Sequence, residues 1–243
     1  MTNATDSLRL FVTGTDTNVG KTHVTCLIAR QSLARGLRVA AYKPVCSGAI
    51  TSTSSLLGSD SSEPRWDDIE RIKAAIGRQW SDEVICPQRF LAPLAPPIAA
   101  AREGRTVDFQ RLIDGADRFA QVELLLIEGA GGWLSPLTET QTVADLAERL
   151  QVPVLIVART GLGTINHTLL TVESIRARGL TVAGIVLNEV VVDHDDASCQ
   201  TNGEEIEARS GAPVLGTVPH GNILELRRRG QPVTIDWCKL AVR

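Results

Sequence analysis

Phe11-Val12-Thr13-Gly14-Thr15-Asp16-Thr17-Asn18-Val19-Gly20-Lys21-Thr22 is an apolar strand running into a Gly- and Thr-rich turn that ends in Gly-Lys-Thr. A helical pattern, Val24-Thr25-Cys26-Leu27-Ile28-Ala29, follows at once. This is the layout of a phosphate-binding loop. Backbone N–H groups of such a loop point inward around a polyphosphate, and the next helix adds the positive end of its dipole. Lys21 reaches the outer phosphates and the Thr22 hydroxyl holds Mg2+. Five residues, Thr15 to Val19, separate Gly14 from Gly20, where the usual pattern has four.

Outward from this loop, apolar runs of strand length alternate with helical patterns. Strands are expected at Leu8–Thr13, Arg38–Lys43, Glu123–Glu128, Val154–Ala158, Val182–Leu187 and Val214–Val218. Helices are expected at about Lys21–Arg35, Trp66–Ile76, Asp108–Gln121, Val143–Leu150, Ile165–Arg178 and Gly203–Ser210, several closed by a glycine. Ser52–Pro64 reads as a mobile Ser- and Gly-rich loop. Pro87–Pro97, with prolines at 87, 93, 96 and 97, reads as irregular. Leu124-Leu125-Leu126-Ile127 is buried on both faces, which predicts a parallel sheet. The alternation predicts a single α/β domain over residues 1–243, with one doubly wound, mainly parallel sheet flanked by helices.

Composition narrows the partners. The 243 residues carry a net charge of −3, with 43% hydrophobic and 22% charged residues. Nothing points to nucleic acid or an anionic membrane. Arg227-Arg228-Arg229 reads as a solvated helix end. Neither a signal peptide nor a membrane span is expected. The five cysteines are scattered without a CxxC pair, against a zinc site or disulfide framework and in keeping with a reducing cytoplasm.

In a doubly wound sheet, ligands sit at the carboxyl ends of the strands. Gly14–Thr22, Lys43–Gly48, Glu128–Gly132, Gly161–His167, Asn188 and Pro219 each follow a strand. Lys43 would balance charge on a transferred phosphoryl group, although strand-end lysines are common. Glu128 stands where an acidic residue after an apolar strand holds Mg2+. Asp67 and Asp68 start a helix, the ordinary place for such charges. The helix start at Gly161-Leu-Gly-Thr-Ile-Asn-His167 has free N–H groups that would receive a carboxylate.

Together Gly14–Thr22, Tyr42-Lys-Pro-Val-Cys-Ser-Gly48, Glu128-Gly-Ala-Gly-Gly-Trp133 and Gly161–His167 resemble the signature segments of the dethiobiotin synthetases, in the family's order. The five-residue glycine spacing is that family's own variant of the loop. The resemblance implies a P-loop NTPase-like fold and an ATP- and Mg2+-dependent reaction. In it 7,8-diaminopelargonic acid, CO2 and ATP give dethiobiotin, ADP and phosphate, through a carbamate and a carbamic-phosphoric anhydride.

The resemblance also implies roles. Lys43, Lys21 and Thr17 are the catalytic candidates. Thr22, Asp68 and Glu128 match the metal-contacting positions, with Asp67 the alternative to Asp68. Nucleotide contacts fall to Asn18, Val19, Gly20, Lys21, Thr22, His23, Asp68, Glu128, Gly129, Ala130 and Gly131. Asn188, Glu189, Pro219, His220 and Gly221 fall at the base. Ser47 and Gly131 match substrate-contacting positions, as do Gly163, Thr164, Ile165 and Asn166, which serve the other subunit of a homodimer. A last acidic position corresponds loosely to Glu225. Asn18 stands where family loops commonly carry an acidic residue. Partitioning and septum-site ATPases share the broad fold, but they carry an extra lysine early in the loop, where this chain has Thr13-Gly14-Thr15.

Overall fold

The computed structural model describes residues 7–50, 63–119, 121–191 and 198–242. Its elements run β1 (Leu8–Gly14), α1 (Lys21–Ala34), β2 (Val39–Tyr42), β3 (Val45–Ser47), α2 (Asp67–Ile76), α3 (Asp82–Ile85), β4 (Gln88–Phe90), α4 (Pro96–Arg102) and α5 (Phe109–Asp114). They continue with a 3-10 turn (Gly115–Phe119), β5 (Leu124–Glu128), α6 (Val143–Leu150), β6 (Val154–Arg159), α7 (Thr164–Ala177) and β7 (Val182–Asn188). The chain closes with α8 (Ser198–Ser210), β8 (Val214–Val218), β9 (Leu226–Arg228), β10 (Gln231–Val233) and a 3-10 turn at Trp237–Leu240.

One 8-stranded sheet has the order β10-β9-β8-β7-β6-β1-β5-β2. From β8 to β2 every pairing is parallel; β9 and β10 add an antiparallel edge. The parallel sheet follows from its strands: β1, β5 and β6 are buried nearly throughout, so both faces must be covered by helices. Side chains alternate between the two layers. Leu10, Val12, Leu124, Leu126, Leu155 and Val157 pack with α1 and α2. Phe11, Leu125, Ile127, Val154 and Ile156 pack with α4 to α8. The chain steps from β1 outward to β2 and later returns to lay β5 and β6 on either side of β1. That reversal opens a crevice at the carboxyl end of β1.

Several expectations need correction. Pro87–Pro97 is not irregular: β4 pairs in parallel with β3, and Pro96 and Pro97 begin α4, where a missing N–H is harmless. The Arg227–Arg229 run is not a helix end. Arg227 and Arg228 lie in β9, and Arg229 turns at φ 51° into β10. The helix expected over Asp108–Gln121 is α5 followed by a 3-10 turn, and α8 begins earlier than Gly203. Most of the Ser52–Pro64 stretch lies outside the described residues; its borders meet where Ile50 and Arg65 exchange backbone hydrogen bonds of 2.7 and 3.2 Å. The C-terminal tail, without an expected role, packs back onto the sheet. Trp237 is buried and its indole donates to Gln31 Oε1 of α1 at 2.9 Å, and Val242 bridges Arg9 beside β1.

Candidate functional site

The phosphate-type loop is built as its sequence demands. Gly14 ends β1, Thr15 N–H donates to Val157 O of β6 at 3.1 Å, and Gly20 starts α1 with a φ of 92°. A Cβ on Gly20 would lie 2.0 Å from Asn188 Nδ2, so glycine is required by space as well as by dihedral. Asn18 also has positive φ, 60°, a conformation that Asn tolerates well. Within the loop, Asp16 Oδ1 accepts from Thr17 N–H at 2.7 Å, Asp16 Oδ2 pairs with Arg159 at 2.9 Å, and Lys21 Nζ donates to Asp16 O at 3.0 Å.

Strand register assembles the charged centre. Tyr42 of β2 lies opposite Ile127 of β5, so the next residues, Lys43 and Glu128, end side by side. Glu128 has no exposed surface. Its Oε1 accepts from Thr22 Oγ1 at 2.6 Å and from Lys43 Nζ at 2.7 Å. Lys43 Nζ also reaches Asp68 Oδ2 at 2.5 Å. Asp68, not Asp67, faces this centre; Asp67 is exposed and stands 3.7 Å from Arg71.

The field follows from this arrangement. Burial disfavours the charge on Lys43, but Glu128 and Asp68 outweigh it and raise its pKa, so it is a fixed cation and not a base. Burial opposes ionisation of Asp68, yet the Lys43 ammonium holds its pKa below the usual carboxylate value. Lys21, by contrast, is lowered to about 8, chiefly by burial and secondarily by Lys43, against the pull of Glu128.

A cavity of about 440 Å³ opens over this centre. It is lined by Thr17, Asn18, Gly20, Lys21, Thr22, His23, Lys43, Asp68, Glu128, Gly131, Asn188, Glu189, His220 and Gly221, all expected, and by Arg71 and Val190, which were not. Arg71 follows Asp68 by three positions on α2, a spacing that puts both on one helix face.

Other candidates stand outside the lining. Val19 is buried under the loop. Gly129 is packed so closely that a Cβ would meet Val143 at 2.7 Å. Ala130 packs against the core, and Pro219 accepts from Asn222 N–H at 3.0 Å. Ser47 Oγ donates to Leu94 O at 2.6 Å. Gly163, Thr164, Ile165 and Asn166 begin α7, where Gly163 caps the helix without a side-chain hydrogen bond. Glu225 ion-pairs with Arg227 instead of facing the cavity.

The cavity wall formed by Asn188, Glu189, His220 and Gly221 is a folded-back loop. Glu189 Oε2 accepts from His220 N–H at 2.9 Å, and His23 Nε2 lies 2.5 Å from Asn222 O. Asn188 Nδ2 donates to Val19 O at 3.0 Å, which leaves one amide N–H and the Oδ1 for another partner.

Two carboxylates and a hydroxyl around a buried cation form a hard oxygen donor set. Glu128 Oε2 is buried and lacks a partner. Among the described residues no group of three or more His, Cys, Asp or Glu converges. Such a set fits Mg2+, which takes one or two carboxylates and completes its shell with phosphate and water.

The sequence matches the family described as an AAA domain over residues 8–227. The likeness to the crystal structure of the signal recognition particle receptor FtsY of Elizabethkingia anophelis has a TM-score of 0.52 at 15% identity. It covers 93% of this chain but under two thirds, 64%, of that one, and shows the P-loop NTPase fold. The ATP-dependent dethiobiotin synthetase BioD of Anaeromyxobacter sp. (strain Fw109-5) is 46% identical over 221 residues, 90% of this chain and 93% of that one. The corresponding Bacillus cereus (strain G9842) protein is 40% identical over 210 residues, 86% and 82% of the two chains. With a phosphate loop, a paired Lys43–Glu128 centre and relatives this close over nearly its whole length, the chain belongs to the dethiobiotin synthetase family.

Proposed function

We propose that this protein is an ATP-dependent dethiobiotin synthetase, acting on 7,8-diaminopelargonic acid and CO2 in biotin biosynthesis. The observation that carries the reading is the Lys43 ammonium held between Glu128 and Asp68 at the lip of the phosphate loop. One amine of the substrate takes up CO2 to give a carbamate. A carbamate oxygen attacks the γ-phosphorus of ATP, and ADP leaves. The second amine attacks the activated carbonyl, phosphate leaves, and the ureido ring closes.

Such steps need positioning and charge stabilisation more than covalent help. Lys21 and Lys43 supply fixed positive charge, and the N–H groups of residues 18–23 cradle the phosphates. Thr17 sits at the mouth of the loop, suited to steering the carbamate toward the γ-phosphate. Thr22, Asp68 and Glu128 would hold Mg2+, which neutralises phosphate oxygens when bound. Glu189, Asn188 and the Pro219–Gly221 turn are suited to the base.

We infer a homodimer with Ser47 and Gly131 of one subunit, and Gly163, Thr164, Ile165 and Asn166 of the other, around the substrate. The start of α7 lies outside its own chain's cavity, and exposed apolar residues precede and follow it along the chain: Leu162 at 86% and Leu170 at 56%. Such exposed leucines are in keeping with a covered surface. One sheet with strands drawn from Leu8 to Val233 supports a single domain over 1–243. No helix among the described residues is long and apolar enough to cross a membrane; we assign the enzyme to the cytoplasm.

The test is ADP release with ATP, Mg2+ and bicarbonate, with and without the diamine, followed by mass spectrometry. Diamine-dependent release with the mass of the cyclic urea establishes the activity. Diamine-independent hydrolysis overturns it in favour of a nucleotide switch. Light scattering tests the dimer; a monomer at assay concentration would sink the shared site.

A further inference from the structure

Arg71 is a cation of the cavity wall that no expectation assigned. It lies on α2, which is anchored in the core by Ile69, Ile72, Ala75 and Ile76. Its backbone is therefore rigidly held, and its side chain leaves the helix one turn after Asp68. Its neighbours are Asp68 and His23: the guanidinium is close enough to lower the pKa of both. Among the described residues it forms one ion pair, with Asp67, which is 3.7 Å long and surface-exposed on both sides. That is too long for a hydrogen bond and worth little in water.

Charge balance shows why this matters. The ionised side chains lining the cavity are Lys21, Lys43 and Arg71 against Asp68, Glu128 and Glu189. Lys43 is already engaged by two carboxylates, and Lys21 is the only other lysine there. Without Arg71 the wall of a cavity that takes a polyanion would itself be net negative. A guanidinium offers a planar fork matched to phosphate oxygens.

We propose that Arg71 is a third phosphate-binding cation of the nucleotide cavity, contacting the phosphate chain of ATP and ADP from the α2 side. The inference rests on the ATP reading above. On α2 the guanidinium shares the cavity lining with Asp68 and His23.

Binding of ADP and of adenosine to Arg71→Ala, Arg71→Lys and the wild-type protein, measured by calorimetric titration and competition, tests it. Arg71→Ala is expected to weaken ADP about tenfold or more while leaving adenosine unchanged, and Arg71→Lys to recover part of the loss. Arg78→Ala, just past the C-terminal end of the same helix and paired with Glu70, controls for a general change in charge. Equal ADP affinity in Arg71→Ala and wild type overturns the proposal, as does an equal loss for adenosine or for Arg78→Ala. Failure of the wild-type protein to bind ADP overturns the ATP reading itself.

Discussion

The amide nitrogen of Asn188, at the end of β7, donates to the Val19 carbonyl at 3.0 Å, bolting a distant strand to the phosphate loop. The same nitrogen occupies the space a Cβ on Gly20 would need. Loop shape and the Asn188 wall of the cavity are therefore one mechanical unit. Asn188→Ala should lower ATP affinity about tenfold, the order expected for a lost buried hydrogen bond. Asn188→Asp should be worse, because a carboxylate would face the Val19 carbonyl. Gly20→Ala should abolish nucleotide binding. Titration calorimetry and thermal midpoints check all three; a freely tolerated Asn188→Asp would show that this hydrogen bond does not hold the loop.

Lys21 gives the site a pH dependence. Its folded-state pKa is lowered to about 8, first by burial. A polyphosphate binds its protonated form, so binding above pH 8 must take up a proton. Affinity for ATP is expected to fall as pH rises through about 8, and binding there to be accompanied by proton uptake. Calorimetry in two buffers of different ionisation enthalpy reads that uptake directly. Identical apparent enthalpies at pH 8 would show that Lys21 stays charged throughout.

His23 fastens the Pro219–Asn222 turn to the first turn of α1. A carbonyl only accepts, so the contact with Asn222 O requires a proton on Nε2. Burial, then the charges of Arg71, Arg30 and His220, lower its pKa against the pull of that carbonyl. The neutral Nε2–H form therefore makes the contact at pH 7. His23→Leu should raise KM for ATP about three- to tenfold with kcat little changed, and His23→Gln, which keeps a donor, should rise less. A fall in kcat at constant KM would place His23 elsewhere in the cycle.

Much of this architecture is legible in the chain because its central strands leave no ambiguity. Leu124–Ile127 and Val154–Ala158 are apolar on every residue, which only a two-sided burial explains. The loop is legible because Gly14, Gly20, Lys21 and Thr22 each answer a separate physical demand. Short elements are not legible. Gln88–Phe90 is a strand only because β3 lies beside it, and three residues carry no period to read. Leu226–Arg228 is held by its neighbours at the sheet edge, so its arginines mimic a solvated helix end. Arg71 escapes for another reason: its place in the cavity depends on how α2 docks against α1, which no local pattern records. That Asp68 and not Asp67 reaches Lys43 follows from the same docking.

Lys43 couples stability to chemistry in a way its neighbours make measurable. Glu128 is fully buried, and its charge is balanced by Lys43. Lys43→Ala should reduce turnover at least about a hundredfold, and it should also leave a buried carboxylate uncompensated, costing about 3–5 kcal/mol at neutral pH. Adding Glu128→Gln should restore stability at neutral pH without restoring turnover, separating the structural from the chemical share of the pair. Near-normal turnover by Lys43→Ala, with ATP and diamine both saturating, would remove Lys43 from the reaction.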